Sequence, residues 1–445
     1  MTSTGTPGPP KAGGPPAAQP QRLRLYGWRH PAILTAAGLS VAAGFAQFGV
    51  TTALADVAKA FGEPTDGTSV AARVGLSFTT LGVGLAIIRL AALGSLPLAG
   101  LADRLGRRRV LLGCSALGLA ISAAAALSPT YWWFVALFAL GRPLLSATNA
   151  VSGVLAAEET RSADRAKAIA LVTAGYGIGA GLTAIVRGVA GDALSFRGLF
   201  ALLLLPLAAI PLLSRWLEEP ERFEQVRRTA RRAGTPGRRG LVLVRLSAVQ
   251  RTRLWLLTLL TGALGFVTGP ANSLLFVYSE SVLGLSRSTT AVMVAAAGPI
   301  GLAGLLAGRW AADRLGRRVT AATSQAVVAV ACVLTYSGSA AGAISGYLLA
   351  ILASSAFAPA LGALASELFP TSVRATVAGW LSAGGVLGAV SGLVVFGLLV
   401  TALDNFWAAA ALVATPVALL SPLFTRLPET VGLELEQSAP ESAPA

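Results

Sequence analysis

The chain has 445 residues, of which 54% are hydrophobic and 12% are charged, and its formal net charge is +15. A soluble domain carries about 25% charged residues, so the composition excludes an ordinary soluble protein and indicates that lipid is the main solvent. A basic balance can indicate nucleic-acid binding, but the arginines stand in short connections between apolar runs, as in membrane proteins. We therefore expect no nucleic-acid partner.

The residue types that usually carry catalysis or bind metals are scarce. Two cysteines, Cys114 and Cys332, lie inside apolar segments, and His30 is the only histidine. These counts indicate neither a disulfide framework nor a metal cluster, and they argue against a histidine-based active site. We expect no cofactor, no metal site and no catalytic residue.

Five regions follow one another along the chain. Residues 1–31, rich in Pro, Gly and Ala, are predicted to be a disordered cytoplasmic tail. Two blocks of apolar segments occupy residues 32–214 and 254–426, separated by an arginine-rich linker at 215–253, and residues 427–445 form a second tail.

A membrane-crossing helix needs about 20 mostly apolar residues, and twelve segments satisfy that length. In the first block they are predicted at 33–56, 75–99, 110–127, 131–153, 166–190 and 197–214. In the second block they are predicted at 254–279, 288–311, 319–337, 342–364, 374–400 and 405–424. The chain is therefore predicted to be an all-α membrane protein built from two six-helix bundles.

Positive residues crowd every second connection between these segments. They follow segments two, four and eight and fill the central linker, whereas the intervening connections are poor in positive charge. This alternation predicts that both termini and the linker lie in the cytoplasm, in a plasma membrane.

One hexapeptide occurs twice, which suggests two related halves. The sequence Asp-Arg-Leu-Gly-Arg-Arg stands at 103–108 and again at 313–318, 210 positions later. Glu158 precedes Arg165 by seven residues, and Glu367 precedes Arg374 by the same spacing, 209 positions later. Each half then closes on a Pro-Glu pair, at Pro220-Glu221 and at Pro428-Glu429.

These repeated motifs resemble the major facilitator superfamily of secondary transporters over about residues 30–430. Residues 99–108 are similar to its loop signature Gly-x-Leu-Ala-Asp-Arg-x-Gly-Arg-Arg, with Ala99 in place of the first glycine. The paired Glu and Arg residues and the ending Pro428-Glu429-Thr430 resemble the branch of sugar porters and metabolite–proton symporters. The resemblance implies two bundles that rock about a central cavity, a small-molecule substrate, coupling to protons, and a monomer.

The resemblance also implies a cytoplasmic gate at the repeated motifs. Its predicted residues are Asp103, Arg104, Gly106, Arg107, Arg108, Asp313, Arg314, Gly316, Arg317, Arg318, Glu158, Arg165, Glu367 and Arg374. Glycine allows a tight turn, and a charge-assisted contact of about 1–3 kcal/mol suits a switch between two states. Within this set, Glu158 is predicted to act with Arg165 and Glu367 with Arg374.

Polar residues inside the predicted spans are candidates for a substrate cavity, because a charge within a membrane is costly and usually functional. They are Arg89, Arg142, Gln47, Thr51, Asn149, Tyr176, Asn272, Gln325 and Trp380. Hydrogen bonding between helices is the alternative explanation for the uncharged members. The arginines favour an anionic substrate by attraction, although snorkelling to the surface is open to them.

A proton-coupled symporter needs a titratable carboxylate, and Asp56, near the outer end of segment one, is the nearest candidate. An exposed charge at a helix end is the alternative for Asp56, and Arg187 and Arg197 are predicted to be anchors at outer helix ends. Glycines four apart, at Gly384, Gly388 and Gly392 and at Gly177 and Gly181, predict close helix packing.

Two other functions remain open. The first is a proton-driven efflux antiporter for drugs or natural products, although segment five lacks the Gly-Pro pair common in that group. The second is a polytopic membrane enzyme, which needs an acidic metal site or a catalytic histidine facing the membrane.

Overall fold

The computed structural model describes residues 26–62, 74–219, 247–370 and 373–431, apart from the side chains of Asp103, Ser162, Ala163 and Ala375. Within these residues the chain is helical, and twelve helices are long and apolar enough to cross a membrane. Spans 1–6 are Pro31–Thr52, Phe78–Ala102, Arg107–Leu127, Tyr131–Glu159, Asp164–Ala193 and Phe196–Trp216. Spans 7–12 are Ala248–Val282, Arg287–Arg314, Arg317–Thr335, Ala340–Glu367, Thr376–Leu403 and Phe406–Arg426.

The helices begin where the sequence supplies a side chain that can cap them. An unpaired backbone N–H at a helix start is satisfied best by the oxygen of Ser, Thr, Asn or Asp. Such caps precede seven spans, at Ser77, Thr130, Ser195, Ser247, Ser286, Ser339 and Asn405. Spans 3 and 9 begin instead after a glycine, at Gly106 and Gly316.

The spans form two bundles of six. In the first half, span 1 packs along span 5 and span 3 along span 4; in the second half, span 7 packs along span 11, and span 10 along spans 8 and 9. The halves meet where span 2 contacts span 11 and where span 5 contacts span 8. The prediction of twelve spans in two six-helix bundles is confirmed.

Glycines hold several helices in backbone contact. A Cβ at Gly388 would meet the Gly262 carbonyl and one at Gly392 that of Phe266, so a glycine seam joins span 11 to span 7. The same prediction for span 5 is wrong: Gly177 and Gly181 have open space around them. Gly175 and Gly179, each two residues earlier in span 5, instead pack against the span 1 backbone at Ala37 and Val41.

The edges of the predicted regions differ from the structure by a few residues. Span 1 stops at Thr52, and a separate helix, Leu54–Phe61, carries Asp56 in its first turn. Span 7 starts six residues before the predicted edge, because Ser247 and Gln250 form a reciprocal cap. At the start of the described chain, Tyr26 pairs with Thr160 at the end of span 4. The domain boundaries stay predictions, with residues 1–25, 220–246 and 432–445 outside the described residues.

Candidate functional site

Both copies of the hexapeptide form the same turn between two spans, at what is here called the hexapeptide end of the molecule. Gly106 and Gly316 each have φ of 107°, and a Cβ at either would collide with a carboxylate, that of Glu219 or that of Glu429. Only glycine adopts this backbone region without strain. The glycine is therefore required twice over, by its dihedral angle and by the acid packed against it.

The first arginine after each glycine joins the turn to the next helix hairpin. Arg107 donates from Nε and Nη2 to both carboxylate oxygens of Glu158, at 3.0 Å each, and from Nη1 to the Ala102 carbonyl. Arg317 repeats this arrangement with Glu367, at 3.4 Å for each contact. A fork of two parallel hydrogen bonds fixes orientation as well as charge.

A second carboxylate, from the C-terminal end of each half, accepts hydrogen bonds from the backbone of each turn. Glu219 accepts hydrogen bonds from the backbone N–H groups of Arg107 and Arg108, and Glu429 accepts one from the Arg317 N–H at 2.9 Å. Because Glu219 and Glu429 stand 210 positions apart, like the hexapeptides, Glu219 and not Glu221 is the counterpart of Glu429. Sequence reasoning aligned the Pro-Glu pairs and so missed this residue by two positions.

In this conformation the two loop glutamates have partners other than those predicted for a closed gate. Glu158 pairs with Arg107 rather than with Arg165, whose Nε is buried without a hydrogen-bond partner. Glu367 pairs with Arg317 rather than with Arg374, which donates to the Phe369 carbonyl at 3.1 Å. Each glutamate lies at the end of one span and pairs with the arginine that begins a neighbouring span, and not with the arginine seven residues further along its own connection.

The remaining hexapeptide residues contact their own half. Asp313 accepts from Arg317 at 2.8 Å, Arg318 donates to the Thr425 carbonyl, and Arg314 lies over the Trp310 ring at 5.4 Å. Arg104 is exposed, and the Asp103 side chain lies outside the described residues. The hydrogen bonds and ion pairs described at the hexapeptide end all stay within one half.

Four charged residues, here called the charge cluster, lie at the opposite end of the molecule. Arg187 donates from Nε to Asp56 at 2.9 Å, and its two terminal nitrogens reach both oxygens of Glu280 at 2.5 and 2.6 Å. Arg287 donates to the second oxygen of Asp56 at 2.6 Å. Asp56 and Arg187 belong to the first half, and Glu280 and Arg287 to the second.

The charge cluster bridges the halves through buried pairs. The side chains of Arg187, Glu280 and Asp56 are 3%, 7% and 11% exposed. Thr290 also donates to Glu280 at 2.9 Å, so the carboxylate is satisfied from two helices. Removing one partner of a buried pair costs about 3–5 kcal/mol, because the other charge is left uncompensated. These contacts hold the halves together at this end.

Sequence reasoning found one of these four residues with a related role. The structure places Asp56 between two arginines with 11% of its side chain exposed, so the alternative of an exposed helix-end charge is wrong, and its part in proton coupling stays a prediction. Arg187 is not an anchor, whereas Arg197 does anchor its helix, donating to the Ala126 and Ser128 carbonyls. Glu280 and Arg287 were missed, although two charges flanking a short connection at an end otherwise poor in charge were a usable signal.

Two arginines lie near the middle of the first half. Arg89 donates to Ser273 of span 7 at 2.8 Å, which is a contact between the halves. Arg142 lies close enough to Arg89 for their positive charges to repel each other. Among the described residues Arg142 makes no hydrogen bond or ion pair, and its Nε is buried. Within the residues that the structure describes, neither Arg89 nor Arg142 has a carboxylate partner.

The uncharged cavity candidates separate into two groups. The Tyr176 hydroxyl donates to Gln47 at 3.5 Å, and buried polar atoms of Gln47, Asn149 and Asn272 have no hydrogen-bond partner among the described residues. Gln325 is 0% exposed, and both of its amide atoms also lack a hydrogen-bond partner among the described residues. Its place in a cavity stays a prediction.

Two further candidates keep exposed surface. Trp380 is 46% exposed and contacts the Trp255 ring, and Thr51 is half-buried in the last turn of span 1. A separate cavity of about 240 Å³ opens between spans 2 and 4 at the hexapeptide end, beside Arg107.

The sequence matches a family model, described as Major Facilitator Superfamily, over residues 36–311 and 292–444. A relative from Haemophilus influenzae named "Putative metabolite transport protein" is 27% identical over 367 residues, covering 78% of this chain and 86% of the relative.

Solved structures of similar fold include a sugar transporter and a nucleoside transporter. An inward-open structure of the xylose transporter XylE from E. coli has a TM-score of 0.71 at 17% identity and covers 91% of this chain and 98% of that one. A structure of the nucleoside transporter NupG has a TM-score of 0.68 at 15% identity, over 89% of this chain and 99% of that one. At these identities the likeness establishes the fold alone.

Proposed function

Because the chain belongs to the major facilitator superfamily, we propose that it is a secondary active transporter for a small organic metabolite, working by alternating access. That it transports small molecules across a lipid membrane, and is not an enzyme, follows from the family and its relatives. The proposal adds an anionic cargo, coupling to protons, and the direction of uptake.

The observation that carries the proposal is the difference between the two ends of the molecule. At the opposite end, a buried ion pair joins Arg187 to Glu280, a partly buried one joins Asp56 to Arg287, and Thr79 bonds to Thr401 at 2.9 Å. The hydrogen bonds described for the hexapeptide residues stay within one half. Two bundles locked at one end and separable at the other are what alternating access requires.

The arginine pattern gives this conformation a direction. Positive connections face the cytoplasm in inner membranes, and this supports a cytoplasmic position for the hexapeptide end and both termini. The described conformation is then inward-facing, and the charge cluster is the closed outer gate. In the outward-facing state we expect the hexapeptide turns to meet the other half and close the inner side.

The charge cluster also provides a place for proton coupling. Asp56 and Glu280 are the carboxylates that hold Arg187 and Arg287, with Thr290 beside them and with Lys59 and Asp192 exposed nearby. A proton on either carboxylate removes the charge that pairs with an arginine. Protonation from the outer side would therefore loosen the outer gate and let cargo enter with the proton.

Uptake by proteoliposomes tests the proposal. The purified protein is reconstituted with an acidic exterior, and a panel of labelled small organic acids is offered with and without a protonophore. Accumulation that the protonophore abolishes supports proton symport. Accumulation only under the inverted gradient would indicate the efflux antiporter instead, and equal signals in protein-free liposomes would remove the transport proposal.

The conservative variants D56N and E280Q sharpen this assay. Each removes one titratable group while keeping the side-chain shape. We expect exchange of labelled for unlabelled cargo without a gradient to survive in at least one of them, while gradient-driven accumulation is lost. Accumulation at the wild-type level in both variants would show that protons couple elsewhere.

A further inference from the structure

We propose that Arg89 and Arg142 together form the binding site for an oxyanionic head group, a carboxylate or a phosphate ester, on the transported metabolite. This inference rests on the proposed transport function and names the ligand class of its cargo site. It requires both guanidiniums at one depth, without a protein counter-ion, and facing the interface between the halves.

The two arginines lie at the same depth. Arg89 is eleven residues from Phe78 at the start of span 2, and Arg142 is eleven residues from Tyr131 at the start of span 4. Both spans start at the opposite end, so a rise of about 1.5 Å per residue puts each Cα about 16 Å inside. A hydrocarbon core of about 30 Å places that depth near its middle.

Two like charges at this depth are costly unless something neutralises them. A cation at the bilayer centre is unfavourable, and such residues usually pair with an opposite charge. The described residues provide no carboxylate for either arginine: Arg89 bonds to the Ser273 hydroxyl, and Arg142 has no described partner. Both arginines therefore lack a negatively charged partner among the described residues, and an anionic substrate can provide that charge.

The chemistry of the groups narrows the ligand further. A guanidinium presents parallel N–H donors that match the two oxygens of a carboxylate or phosphate. Uncharged groups adjoin the Arg89 contacts: Gln47 bonds to Tyr176, and Asn272 precedes Ser273, the partner of Arg89. A buried amide atom of each has no hydrogen-bond partner among the described residues. A neutral metabolite would not neutralise the two positive charges, so it would not explain why two arginines lie together at this depth.

The position of the pair suits a cargo site. Arg89 reaches from span 2 to Ser273 of span 7, so its guanidinium lies where the two halves meet. Transporters of this architecture bind cargo near the midplane between their repeats. An anion held by Arg89 and Arg142 would therefore contact both halves at once.

The first test needs no knowledge of the cargo. The variants R89Q and R142Q each remove one of two repelling charges, so the ligand-free protein in detergent should melt at a higher temperature than the wild type. R197Q is the matched control, because Arg197 donates to two carbonyls and its loss should lower the melting temperature. Melting temperatures lowered in both R89Q and R142Q would show that the guanidiniums are already compensated, which overturns the proposal.

The second test measures ligand class with matched pairs of probes. Succinate, benzoate and glucose 6-phosphate are each compared at millimolar concentration with succinamide, benzamide and glucose, by the shift in melting temperature. We expect one or more anions to stabilise the wild type while the neutral analogues do not, with affinity about tenfold or more weaker in R142Q and unchanged in R197Q. The carboxylate and phosphate arms distinguish the two head groups.

Two outcomes of this comparison overturn the site. One is stabilisation by the neutral analogues that R142Q leaves unchanged, and the other is stabilisation by none of the anions. The site and the transport function fail separately: gradient-driven uptake of a neutral compound would keep the transporter and remove the anion site. Anion binding lost in R142Q, without any uptake, would keep the site and remove the proposed function.

Discussion

The two ends of the molecule both carry arginine–carboxylate contacts, but they connect different things. At the hexapeptide end, Arg107 binds Glu158 and Arg317 binds Glu367, each within one half. At the opposite end, Arg187 binds Glu280 across the halves. The contacts that are repeated in both halves therefore stabilise each half internally. The contact between Arg187 and Glu280, which has no counterpart in the repeat, stabilises one arrangement of the two halves relative to each other.

The largest effect should follow from breaking the charge cluster. In R187Q Glu280 loses its arginine and Asp56 keeps only Arg287, which should cost the closed state about 3–5 kcal/mol. Cysteines at positions 79 and 401 report this state, because the Thr79 and Thr401 hydroxyl oxygens lie 2.9 Å apart. We expect the T79C/T401C pair to cross-link readily with Arg187 present and poorly in R187Q.

The controls for this prediction come from both ends of the molecule. R197Q removes an arginine from the same end whose described contacts, two carbonyls and the Phe196 ring, stay within the first half. E158Q breaks a pair at the hexapeptide end. Neither should change the cross-linking. Undiminished cross-linking in well-folded R187Q would mean that apolar contacts alone close this end.

A smaller effect is expected at the glycine turns. In G106A the Cβ requires a backbone region closed to alanine and collides with Glu219, so the native state should lose about 1–3 kcal/mol. The thermal unfolding temperature measures this loss. G100A is the matched control, since a Cβ there meets nothing within 4 Å. Equal melting of the two variants would contradict the account of the turn.

The pair Arg107–Glu158 should contribute less than either of these. E158Q keeps the side-chain shape but loses a partly exposed charged fork, at about 1 kcal/mol. The pseudo-symmetric variant E367Q should lose less, because its contacts are 3.4 Å long instead of 3.0 Å. Chemical denaturation of the two variants side by side measures the loss of unfolding free energy in each. A greater loss in E367Q than in E158Q would contradict this order.

The smallest effect concerns the N-terminal edge of span 1. His30 accepts a hydrogen bond from the Ala32 N–H through Nδ1, and burial lowers its pKa below 6.5, against the opposing influence of Glu218. The neutral form is thus favoured on folding, so its contribution is present above pH 6.5 and is lost as pH falls through the lowered pKa. In H30N, whose cap does not titrate, this part of the pH dependence of melting should vanish; an unchanged profile would assign it elsewhere.

Much of the fold could be predicted because its signals are local. About twenty apolar residues in a row define a span, and the hexapeptide repeat locates equivalent turns in the two halves. The partners of those turns could not be predicted in the same way. Glu158 meets Arg107 because spans 3 and 4 pack side by side, and no spacing along the chain encodes that contact.

The charge cluster shows the same limit more strongly. Its four residues come from three separate stretches and have no repeat, so only the packed structure brings them together. Gln325 shows a related limit, because a polar residue in a span suggested a cavity wall. Its side chain is enclosed by neighbouring helices, and sequence alone does not distinguish a helix face that packs from one that lines a space.

The glycine seam between spans 7 and 11 has a mechanical consequence. Contact of the two backbones at Gly388 and Gly262 makes a paired strut that is stiffer than one helix. Span 7 carries both Ser273, the partner of Arg89, and Glu280, the partner of Arg187, seven residues apart. Its long α-helix ends at Ser273, and Glu280 lies in the π-helical turn Tyr278–Val282. Span 7 therefore makes two contacts with the first half, through Ser273 with Arg89 and through Glu280 with Arg187, and a displacement of span 7 against that half changes both together.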